Sequence, residues 1–387
     1  MKILMITESF PPEMSGSAIY AYEMAKRFGK LGIKTTIVTR KFDSKYKEKR
    51  IKNVKVIRIN VPFYEAAGRK INLTRFRFIL TLIKTILAIY KNYDIIHLHS
   101  GIASECAAWV LKKVFRVKMP VVMTLHATFA GYWKLLYPFP IYILLDTINK
   151  KLIPGSNCDM YFVVDDGMGG DVFLRKNGVP SKKIKKHFQA VDTNIFRPMN
   201  IKKKKNTIAY IGRLDPFKGV DLVIKAMKFL PESIKLEIYG NGPLKEKLIS
   251  LTKKLNLSER VKFHDQIPHE KIPYYLNKFE ILVLTDIRGE KNRNGLGLIM
   301  CEAMACKALY LTSFFPRKEW KCKTWISVYK NDPKEIANKI LEYFKNKKKY
   351  EKIRKNARKI ALKYFSWDKI IELYLNEFKK LKNITSL

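Results

Sequence analysis

The stretch GEKNRNGLGLIMCEAMACK, residues 289–307, decides how the second half of the chain is interpreted. Polar residues lead through two glycines, Gly295 and Gly297, into an apolar segment that carries one acid, Glu302, on its buried side. A glycine turn that opens a helix presents free backbone N–H groups and the positive end of the helix dipole, which suit a phosphate or a sugar hydroxyl. Such a turn is also common as a plain tight connection. The stretch predicts a helix N-terminus that is either an anion cradle or a tight turn.

Alternating strand and helix patterns extend from this stretch in both directions. Strand patterns lie at residues 208–212, 236–239, 261–264 and 281–285, with helical patterns at 220–229, 244–255 and 271–276. Further strand patterns lie at residues 2–7, 33–39, 54–59, 94–99, 121–126, 159–164 and 184–188, with a helix at 19–28. Strand and helix units of ~30 residues predict parallel, doubly wound sheets. The predicted fold class is α/β, with two doubly wound Rossmann-like domains facing a cleft that is the default ligand site.

The length and one basic run indicate where the domains divide. At 387 residues the chain exceeds what one hydrophobic core usually supports. Pro198 and the lysine run at 202–205 mark the boundary. We expect an N-terminal domain over residues 1–195, a C-terminal domain over 196–365, and a final helix over 366–387 that packs back on the N-terminal domain.

The net charge restricts the partners. Lys and Arg number 76 against 34 Asp and Glu, so the formal net charge is +42, and it is spread evenly over both halves. Nucleic-acid binders more often concentrate their charge in a stripe or arm with interleaved aromatic residues. An even excess suits anionic small substrates, an anionic membrane surface and solubility. We therefore expect no nucleic-acid partner.

Cysteine usage and hydropathy predict a cytoplasmic protein without a membrane span. The five cysteines are scattered without metal-ligand spacing: Cys106, Cys158, Cys301, Cys306 and Cys322. This pattern fits a reducing compartment better than a disulfide scaffold. The chain opens directly on a strand pattern, and its longest apolar stretch, residues 78–90, is shorter than the ~20 residues that a span needs.

Residues 69–90, RKINLTRFRFILTLIKTILAIY, predict a helix that is apolar on most sides and basic near its start. One interpretation is an interfacial helix whose basic side chains reach lipid phosphates. The other is a helix that covers a sheet and exposes a basic edge to solvent. The two interpretations imply different partners, an anionic membrane surface or the protein's own core.

Two strand patterns end in histidine, His99 after residues 94–98 and His126 after residues 121–125. The carboxyl ends of neighbouring parallel strands meet at one sheet edge, where ligands bind. A single strand-end histidine usually packs or caps, but two at one edge favour a functional role for His126. The stretch at 131–145 is aromatic and broken by prolines, and lid, acceptor surface and ordinary packing all remain open for it.

Several motifs fit a known family. They are PPEMSGSAIYAYEMAKRF (11–28), DIIHLHS (94–100), VVMTLHATF (121–129), DTNIFRP (192–198), IGRLDPFKGVD (211–221), IYGNGPL (238–244), VKFHDQIP (261–268), NGLGLIMCEAMAC (294–306) and FSW (365–367). Neither a GxGxxG dinucleotide fingerprint nor a Walker pattern is present, which argues against NAD, FAD or P-loop chemistry. Over nearly its whole length the chain resembles the retaining glycosyltransferases of the two-domain B fold, family four, also called group one.

The residues and the resemblance agree on the chemistry. Transfer from a nucleotide sugar needs the leaving diphosphate to be stabilised as the glycosidic bond breaks. Arg213 offers a bidentate donor fork and Lys218 a point charge from one loop, and both contacts strengthen as phosphate charge develops. We therefore expect Arg213 and Lys218 to be catalytic, and we expect no metal ion and no cofactor. The resemblance implies that His126, the third expected catalytic residue, lies near the donor sugar.

The resemblance also implies the residues that bind the donor. Glu302 would hold the ribose hydroxyls, Gln266 and Ile267 would lie near the base, and Gly16 would let the first loop approach the donor from the N-terminal, acceptor-side domain. The remaining implied donor contacts are Gly212, Gly240, Asn294, Gly295, Leu296, Gly297 and Leu298. No enzymic nucleophile is needed if attack occurs on the front face and the leaving phosphate takes the acceptor proton.

Four positions depart from the family's pattern. Asn294 stands where the first acid of the Glu-x7-Glu signature is usual, and a neutral amide still donates and accepts hydrogen bonds. Gln189 precedes Ala190 where Asn-Gly is usual, Ser15 replaces a glycine, and the segment at 312–325 lacks a glycine-rich turn. Two functions therefore stay open. One is a retaining glycosyltransferase that moves a sugar from UDP or GDP to a glycan or lipid-linked acceptor, and the other is a non-catalytic B-fold protein that binds a nucleotide sugar or a partner enzyme.

Overall fold

The computed structural model describes residues 1–12, 16–41, 50–61, 73–126, 139–165, 169–285, 296–313, 320–328 and 332–385. Contacts between Cα atoms divide the chain into two compact units. Unit 1 comprises Met1–His187 and Ile370–Leu387, and unit 2 comprises Phe188–Lys369. Each unit has its own parallel sheet and its own hydrophobic core.

The sheet of unit 1 has seven parallel strands in the order β3-β2-β1-β4-β5-β6-β7. They are β1 (Lys2–Ile6), β2 (Lys34–Arg40), β3 (Val54–Ile59), β4 (Ile95–His99), β5 (Val121–Leu125), β6 (Met160–Val164) and β7 (Ile184–His187). The order reverses between β1 and β4, which are paired neighbours. At such a switch point the connections leave toward opposite faces, so that a crevice for ligands opens at the carboxyl ends of the strands.

The helices of unit 1 include one segment for which the sequence left two interpretations. They are α1 (Gly16–Lys30), α2 (Leu73–Ile89), α3 (Ile102–Trp109, continued by a π-helical turn at Val110–Val114), α4 (Ile141–Leu152) and α5 (Gly170–Lys176). Helix α2 buries Phe78, Leu82 and Ile86, spaced four residues apart, in the core of unit 1. This segment therefore covers the sheet. No helix within the described ranges is long and apolar enough to cross a membrane.

Unit 2 repeats the doubly wound plan with six parallel strands in the order β10-β9-β8-β11-β12-β13. They are β8 (Lys204–Ile211), β9 (Lys235–Tyr239), β10 (Val261–His264), β11 (Phe279–Leu284), β12 (Tyr310–Thr312) and β13 (Ile326–Ser327). Its helices are α6 (Val220–Ala226), α7 (Lys245–Lys254), α8 (Ile272–Lys278), α9 (Leu298–Ala305), α10 (Pro333–Lys345) and α11 (Glu351–Tyr364), and α12 (Trp367–Thr385) ends the chain. The predicted α/β class with two Rossmann-like sheets is confirmed.

Three elements differ from the sequence-based expectation. Helix α1 begins at Gly16 and not at residue 19, so that Gly16 belongs to the first helical turn and not to the preceding loop. Helix α4 occupies the end of the aromatic stretch predicted at 131–145, of which 131–138 lie outside the described ranges. Strands β12 and β13 were not predicted, because three and two residues are too few to show a strand period.

Candidate functional site

The carboxyl ends of β8 and β9 approach each other too closely for side chains. Gly240 has φ +151°, and a Cβ atom built on it would lie 1.9 Å from the carbonyl oxygen of Gly212. A Cβ atom on Gly242 would lie 2.7 Å from the backbone N and O of Leu214. Leu214 donates from its backbone N to the carbonyl oxygen of Asn241 at 3.0 Å. Packing alone therefore requires glycine at positions 240 and 242. The sequence analysis did not single out Gly242. Contact of Gly212 and Gly240 with the donor stays a prediction.

Arg213 follows this edge directly, and its side chain is 64% exposed. Its Nε and Nη2 atoms donate to the two carboxylate oxygens of Asp215 at 3.0 and 3.2 Å. The buried Tyr210 donates from its hydroxyl to the carbonyl oxygen of Arg213 at 2.5 Å. These contacts hold a planar guanidinium fork at the surface, in a geometry that matches a phosphate as well as a carboxylate.

Lys218 ends a short 3-10 turn, Pro216–Lys218, in the same loop. Gly219 follows with φ +60° and caps α6. Thr285, fully buried after β11, donates from its hydroxyl to the carbonyl oxygen of Gly219 at 2.7 Å. Because β8 and β11 are neighbours in the sheet, this bond ties the far end of the loop to the sheet edge. Arg213 and Lys218 are thus carried by one short loop that is held at both ends.

The start of α9 contains the glycine turn of the deciding stretch. Gly297 caps the helix, and its carbonyl oxygen accepts from the N–H groups of Met300 and Cys301. Its φ of −67° is ordinary for any residue, and among the described residues no atom outside the adjoining chain lies within 4 Å of a Cβ built there. The buried Leu296 and the half-buried Leu298 pack in the core of unit 2, so that only their backbone groups are available to a ligand.

Asn294 and Gly295 lie outside the described residues. Their predicted contacts with the donor therefore remain expectations from the sequence. The same applies to Ser15 and to residues 314–319 of the segment that departs from the family's pattern.

Glu302 has a partner that the sequence did not reveal. The carboxylate is 2% exposed on the buried side of α9, as the sequence predicted. Its Oε1 lies 2.6 Å from Nε2 of His269, which opens the 3-10 turn His269–Lys271 before α8. A carboxylate that leaves water needs hydrogen-bond donors to offset its desolvation. His269 supplies one, and it leaves the second carboxylate oxygen for a hydroxyl group.

The residues around Glu302 are buried and are connected by hydrogen bonds and a ring contact. Burial, together with the nearby carboxylate of Glu302, raises the pKa of the Cys306 thiol to about 12. Arg358 on α11 donates from Nη1 to the carbonyl oxygens of Ala305 and Phe196 at 2.5 and 2.8 Å. The ring of Phe196 lies 5.4 Å from that of His269, measured between centroids. The acid therefore sits on a helix whose end is anchored to the rest of unit 2.

The loop after β10 carries the residues predicted to lie near the base. Gln266 is exposed. The side chain of Ile267 is buried in the core of unit 2, so that only its backbone can contact a base. Beside this loop, the rings of Tyr239 and His264 stack at 4.3 Å between centroids. The sequence did not single out this aromatic pair.

In unit 1, the two strand-end histidines meet at the carboxyl edge of the sheet. Strands β4 and β5 pair so that His99 lies opposite Thr124, and His126 follows β5 directly. Nδ1 of His99 lies 2.8 Å from Nε2 of His126, and the rings stack at 5.1 Å between centroids. Burial lowers the pKa of both histidines well below the usual value, aided by charge repulsion from His97 on His99 and from His99 and His187 on His126. Both rings are therefore neutral at neutral pH.

This bond assigns the proton on His126. Nε2 of His99 is buried and has no hydrogen-bond partner within the described part of the chain. A buried N–H without a partner is rarer and more costly than an unmet acceptor. His99 therefore carries its proton on Nδ1 and donates to Nε2 of His126. His126 then carries its own proton on Nδ1, and this N–H can donate to a hydroxyl or phosphate oxygen.

A second chain of hydrogen bonds supports the same edge from inside the core. Nε2 of His97 lies 2.8 Å from Oγ1 of Thr124, which lies 2.9 Å from the hydroxyl of Tyr374 on α12. The Tyr374 hydroxyl lies 3.0 Å from Nε2 of His187. Burial lowers the pKa of His97 to about 3. Four of the six histidines of the chain thus lie in one connected region of unit 1.

An acid pair lies at the same edge, after β1. Oε1 of Glu8 accepts from the backbone N of Ala103 in the first turn of α3 at 2.6 Å. Glu105, in the same turn, is buried, and burial with the neighbouring Glu8 raises its pKa to about 8. Gly16 lies at the start of α1, where no atom of the described residues outside the adjoining chain is within 4 Å of a built Cβ. Within the described ranges, no cluster of three or more His, Cys, Asp or Glu residues could hold a metal ion.

Two family models together match most of the chain. The model described as glycosyl transferases group 1 matches residues 191–360, and the model described as glycosyltransferase family 4 matches residues 14–194. An uncharacterized glycosyltransferase of Methanocaldococcus jannaschii is 27% identical over 380 residues, covering 96% of each chain. The GPI3 subunit of phosphatidylinositol N-acetylglucosaminyltransferase of Saccharomyces cerevisiae is 23% identical, covering 80% of this chain and 67% of its own length.

Solved structures show the same fold. Sucrose-phosphate synthase from Thermosynechococcus elongatus superposes with a TM-score of 0.79 at 21% identity, covering 98% of each chain. The HepE protein of Anabaena, solved in complex with UDP-glucose, superposes with a TM-score of 0.71 at 15% identity, covering all of both chains. The chain is a glycosyltransferase of the two-domain B fold and belongs to the glycosyl transferases group 1 family.

Proposed function

We propose that the chain is a retaining glycosyltransferase that moves a sugar from a UDP- or GDP-linked donor to a glycan or lipid-linked acceptor on the cytosolic side of a membrane. The observation that carries the proposal is the loop at 213–219, which carries both Arg213, whose guanidinium is exposed and held by Asp215, and Lys218. Both ends of this loop are held to the edge of the unit 2 sheet. Cations in fixed positions suit a diphosphate that gains charge during the reaction.

In the proposed reaction, the bond between the anomeric carbon and the donor phosphate oxygen breaks, and its electron pair passes to that oxygen. The acceptor hydroxyl attacks the same face of the anomeric carbon, and its proton passes to the leaving phosphate. Arg213 and Lys218 stabilise the charge on the diphosphate, and backbone N–H groups at the start of α9 add to this effect. The anomeric configuration is retained because the new bond forms on the face that the leaving group vacates.

The other site residues are assigned to positioning the donor. Glu302 accepts hydrogen bonds from the ribose hydroxyls while His269 holds its other oxygen. His126 donates from Nδ1 to the donor sugar, with the proton placed there by His99. The backbone of Ile267 and the side chain of Gln266 are assigned to the base.

The choice of donor and acceptor draws on relatives. The HepE protein was solved with UDP-glucose, which favours a nucleotide-sugar donor for the same fold. The name of the yeast relative describes transfer of N-acetylglucosamine to phosphatidylinositol, which favours a lipid acceptor. Asn294 in place of an acid implies a donor sugar that differs from those most common in the family.

The test is incubation with a panel of UDP- and GDP-linked hexoses and N-acetylhexosamines, with nucleotide release as the readout. We expect release with one donor, increased by a glycan or lipid-linked acceptor, and proton NMR of the product should show the donor's anomeric configuration. Tight binding of UDP or GDP without release from any donor would instead identify a non-catalytic nucleotide-sugar binder. Inversion at the anomeric carbon would exclude the proposed mechanism.

A further inference from the structure

Three helices of unit 1 carry most of the exposed large apolar side chains that lie in that unit. Helix α4 and the residue pair before it expose Phe139 at 71%, Leu144 at 60% and three isoleucines. The exposed set on the three helices and their adjoining residues is Phe76, Leu80, Trp109, Val114, Phe115, Phe139, Ile141, Ile143, Leu144 and Ile148. Apolar side chains exposed singly are ordinary, whereas a group of this size marks an interaction surface.

These side chains belong to one region of the unit. Helix α2 packs against α3, and α3 packs against α4. Helix α2 buries one face in the core and exposes Phe76 and Leu80, which are four residues apart and therefore share the opposite side. We call the exposed side chains of α2, α3 with its π-helical turn and Phe115, and α4 with Phe139 the three-helix surface.

The charge on the three-helix surface is positive. The basic residues of these elements are Arg75, Arg77, Lys84, Lys112, Lys113, Lys150 and Lys151, and the acidic residues are Glu105 and Asp146. Glu105 is buried, and its pKa is raised to about 8, so that it contributes little negative charge at neutral pH. Lys112 is paired with Asp159 at 2.9 Å. Arg77, Lys84, Lys113, Lys150 and Lys151 are exposed among the apolar side chains.

The combination identifies the occupant. Aliphatic side chains interleaved with lysine and arginine match a bilayer surface, where the apolar groups enter the acyl boundary and the cations meet lipid phosphates. Leu and Val are under-represented among the anchors of protein interfaces, whereas six of the ten exposed apolar residues here are aliphatic. The excess of positive charge requires that the bilayer be anionic.

We propose that the three-helix surface docks unit 1 on an anionic lipid bilayer without crossing it. The proposal deepens the proposed function, because a lipid-linked acceptor resides in a bilayer. Vesicle binding is measured without donor or acceptor, so that the outcome for binding and the outcome for sugar transfer are independent.

The experiment is flotation of the full chain with vesicles of phosphatidylcholine alone and of equimolar phosphatidylcholine and phosphatidylglycerol. We expect binding to the anionic vesicles only, and weaker binding as salt is raised. The double variant Leu144→Gln, Ile148→Gln should lower the partition coefficient about tenfold or more. The double variant Arg77→Gln, Lys84→Gln should lower it about fivefold for each charge removed.

Matched controls lie elsewhere in unit 1. Leu31 is 59% exposed and Val172 is 43% exposed, so that Leu31→Gln, Val172→Gln removes similar apolar groups outside the surface. Lys30→Gln, Lys55→Gln removes two exposed charges in the same way. These controls should leave the partition coefficient within about twofold of the parent value.

Three outcomes would overturn the proposal. They are absence of binding to anionic vesicles, equal loss of binding in the control variants, and a dimer in solution that the Leu144 and Ile148 variant dissociates while vesicle binding is absent. The third outcome would assign the surface to a second copy of the chain. Nucleotide release from the donor panel, measured on the same variants, reports separately whether the transferase site is intact.

Discussion

The carboxyl edges of the two sheets have the same topology, but the residues at these edges differ in chemical character. In unit 1, β4 ends in His99 and β5 is followed by His126, a neutral pair that bond to each other, and a separate chain of hydrogen bonds in the core joins His97, Thr124 and Tyr374. In unit 2, the ends of β8 and β9 approach each other closely at Gly212 and Gly240, which we call the glycine crossing. The loop at 213–219 that follows β8 carries an exposed arginine and a lysine.

The difference follows from the cost of desolvation. A group that sits inside the core must be neutral, or paired as Glu302 is with His269, because burying an isolated charge is strongly unfavourable. A group that must remain charged has to be held at the surface by its backbone. Unit 1 therefore positions neutral donors, and unit 2 positions cations. Four measurements test this contrast, and the largest effects are expected in unit 2.

The glycine crossing should be the most sensitive point of the unit 2 edge. We expect Gly240→Ala to lower the free energy of unfolding by about 4 kcal/mol, since it combines a strained φ with backbone overlap. The overlap is severe because the new Cβ would lie 1.9 Å from the carbonyl oxygen of Gly212. Urea unfolding measures this change. Gly16→Ala is the matched control, because its Cβ would meet no atom of the described part of the chain beyond its neighbours within 4 Å. A loss under ~1 kcal/mol for Gly240→Ala would contradict the close approach of Gly212 and Gly240.

Arg213 tests whether the unit 2 edge acts through charge. We expect Arg213→Ala to lower kcat about a hundredfold or more, because a fixed donor to the leaving diphosphate is lost. Arg213→Lys should recover part of the rate, since it restores the charge without the fork. The control is Arg175→Ala, which removes an arginine that is paired with Asp171 at 2.6 Å in unit 1. Full activity of Arg213→Ala in the nucleotide-release assay would contradict the catalytic role assigned to Arg213.

The buried histidines should make unit 1 the acid-sensitive half. The native pKa of His97 is about 3, whereas an unfolded histidine titrates near ~6.5. Below pH ~6.5 His97 binds a proton in the unfolded state but stays neutral in the native state, so that the free energy of unfolding falls as the pH falls. The protonation of His97 in the unfolded state should by itself lower the free energy of unfolding by about 2 kcal/mol between pH 7.5 and pH 5.

Hydrogen exchange at the two pH values resolves this effect by unit. Protection of the β4 and β5 amides should fall more steeply than protection of the β8 and β9 amides. His97→Gln should flatten the pH dependence of β4 even if the variant is less stable at pH 7.5. Equal slopes in both units would show that the buried histidines do not set the acid response.

The contact between His269 and Glu302 should give the smallest effect. We expect His269→Ala to weaken nucleotide binding about tenfold, because Glu302 loses the donor that holds its carboxylate. Calorimetry with UDP or GDP, whichever the donor panel identifies, measures this change. The 2′-deoxy nucleotide should bind the parent and the variant with a smaller difference if Glu302 contacts the ribose. An equal loss of affinity for the deoxy nucleotide would show that the effect of His269 does not act through the ribose.

Much of the architecture could be predicted from local patterns. The strand and helix periods predicted two parallel α/β sheets, and the burial of Glu302 on α9 followed from its apolar neighbours. The start of α1 was misplaced, because Gly16 and Ser17 show no helical period of their own. The residues around the candidate site were predicted by position at strand ends and by resemblance, and neither kind of argument identifies a contact.

What the sequence by itself determined is the set of features that depend on neighbours in the chain: the fold class, the family and a loop with two cations between β8 and α6. Only the tertiary structure decided which groups meet. His269 lies 33 residues from Glu302, and Tyr374 lies 250 residues from Thr124. No local period encodes such pairs, because each depends on where two separate elements come to rest. The same reason explains why the proton on His126 and the three-helix surface became visible only in the fold.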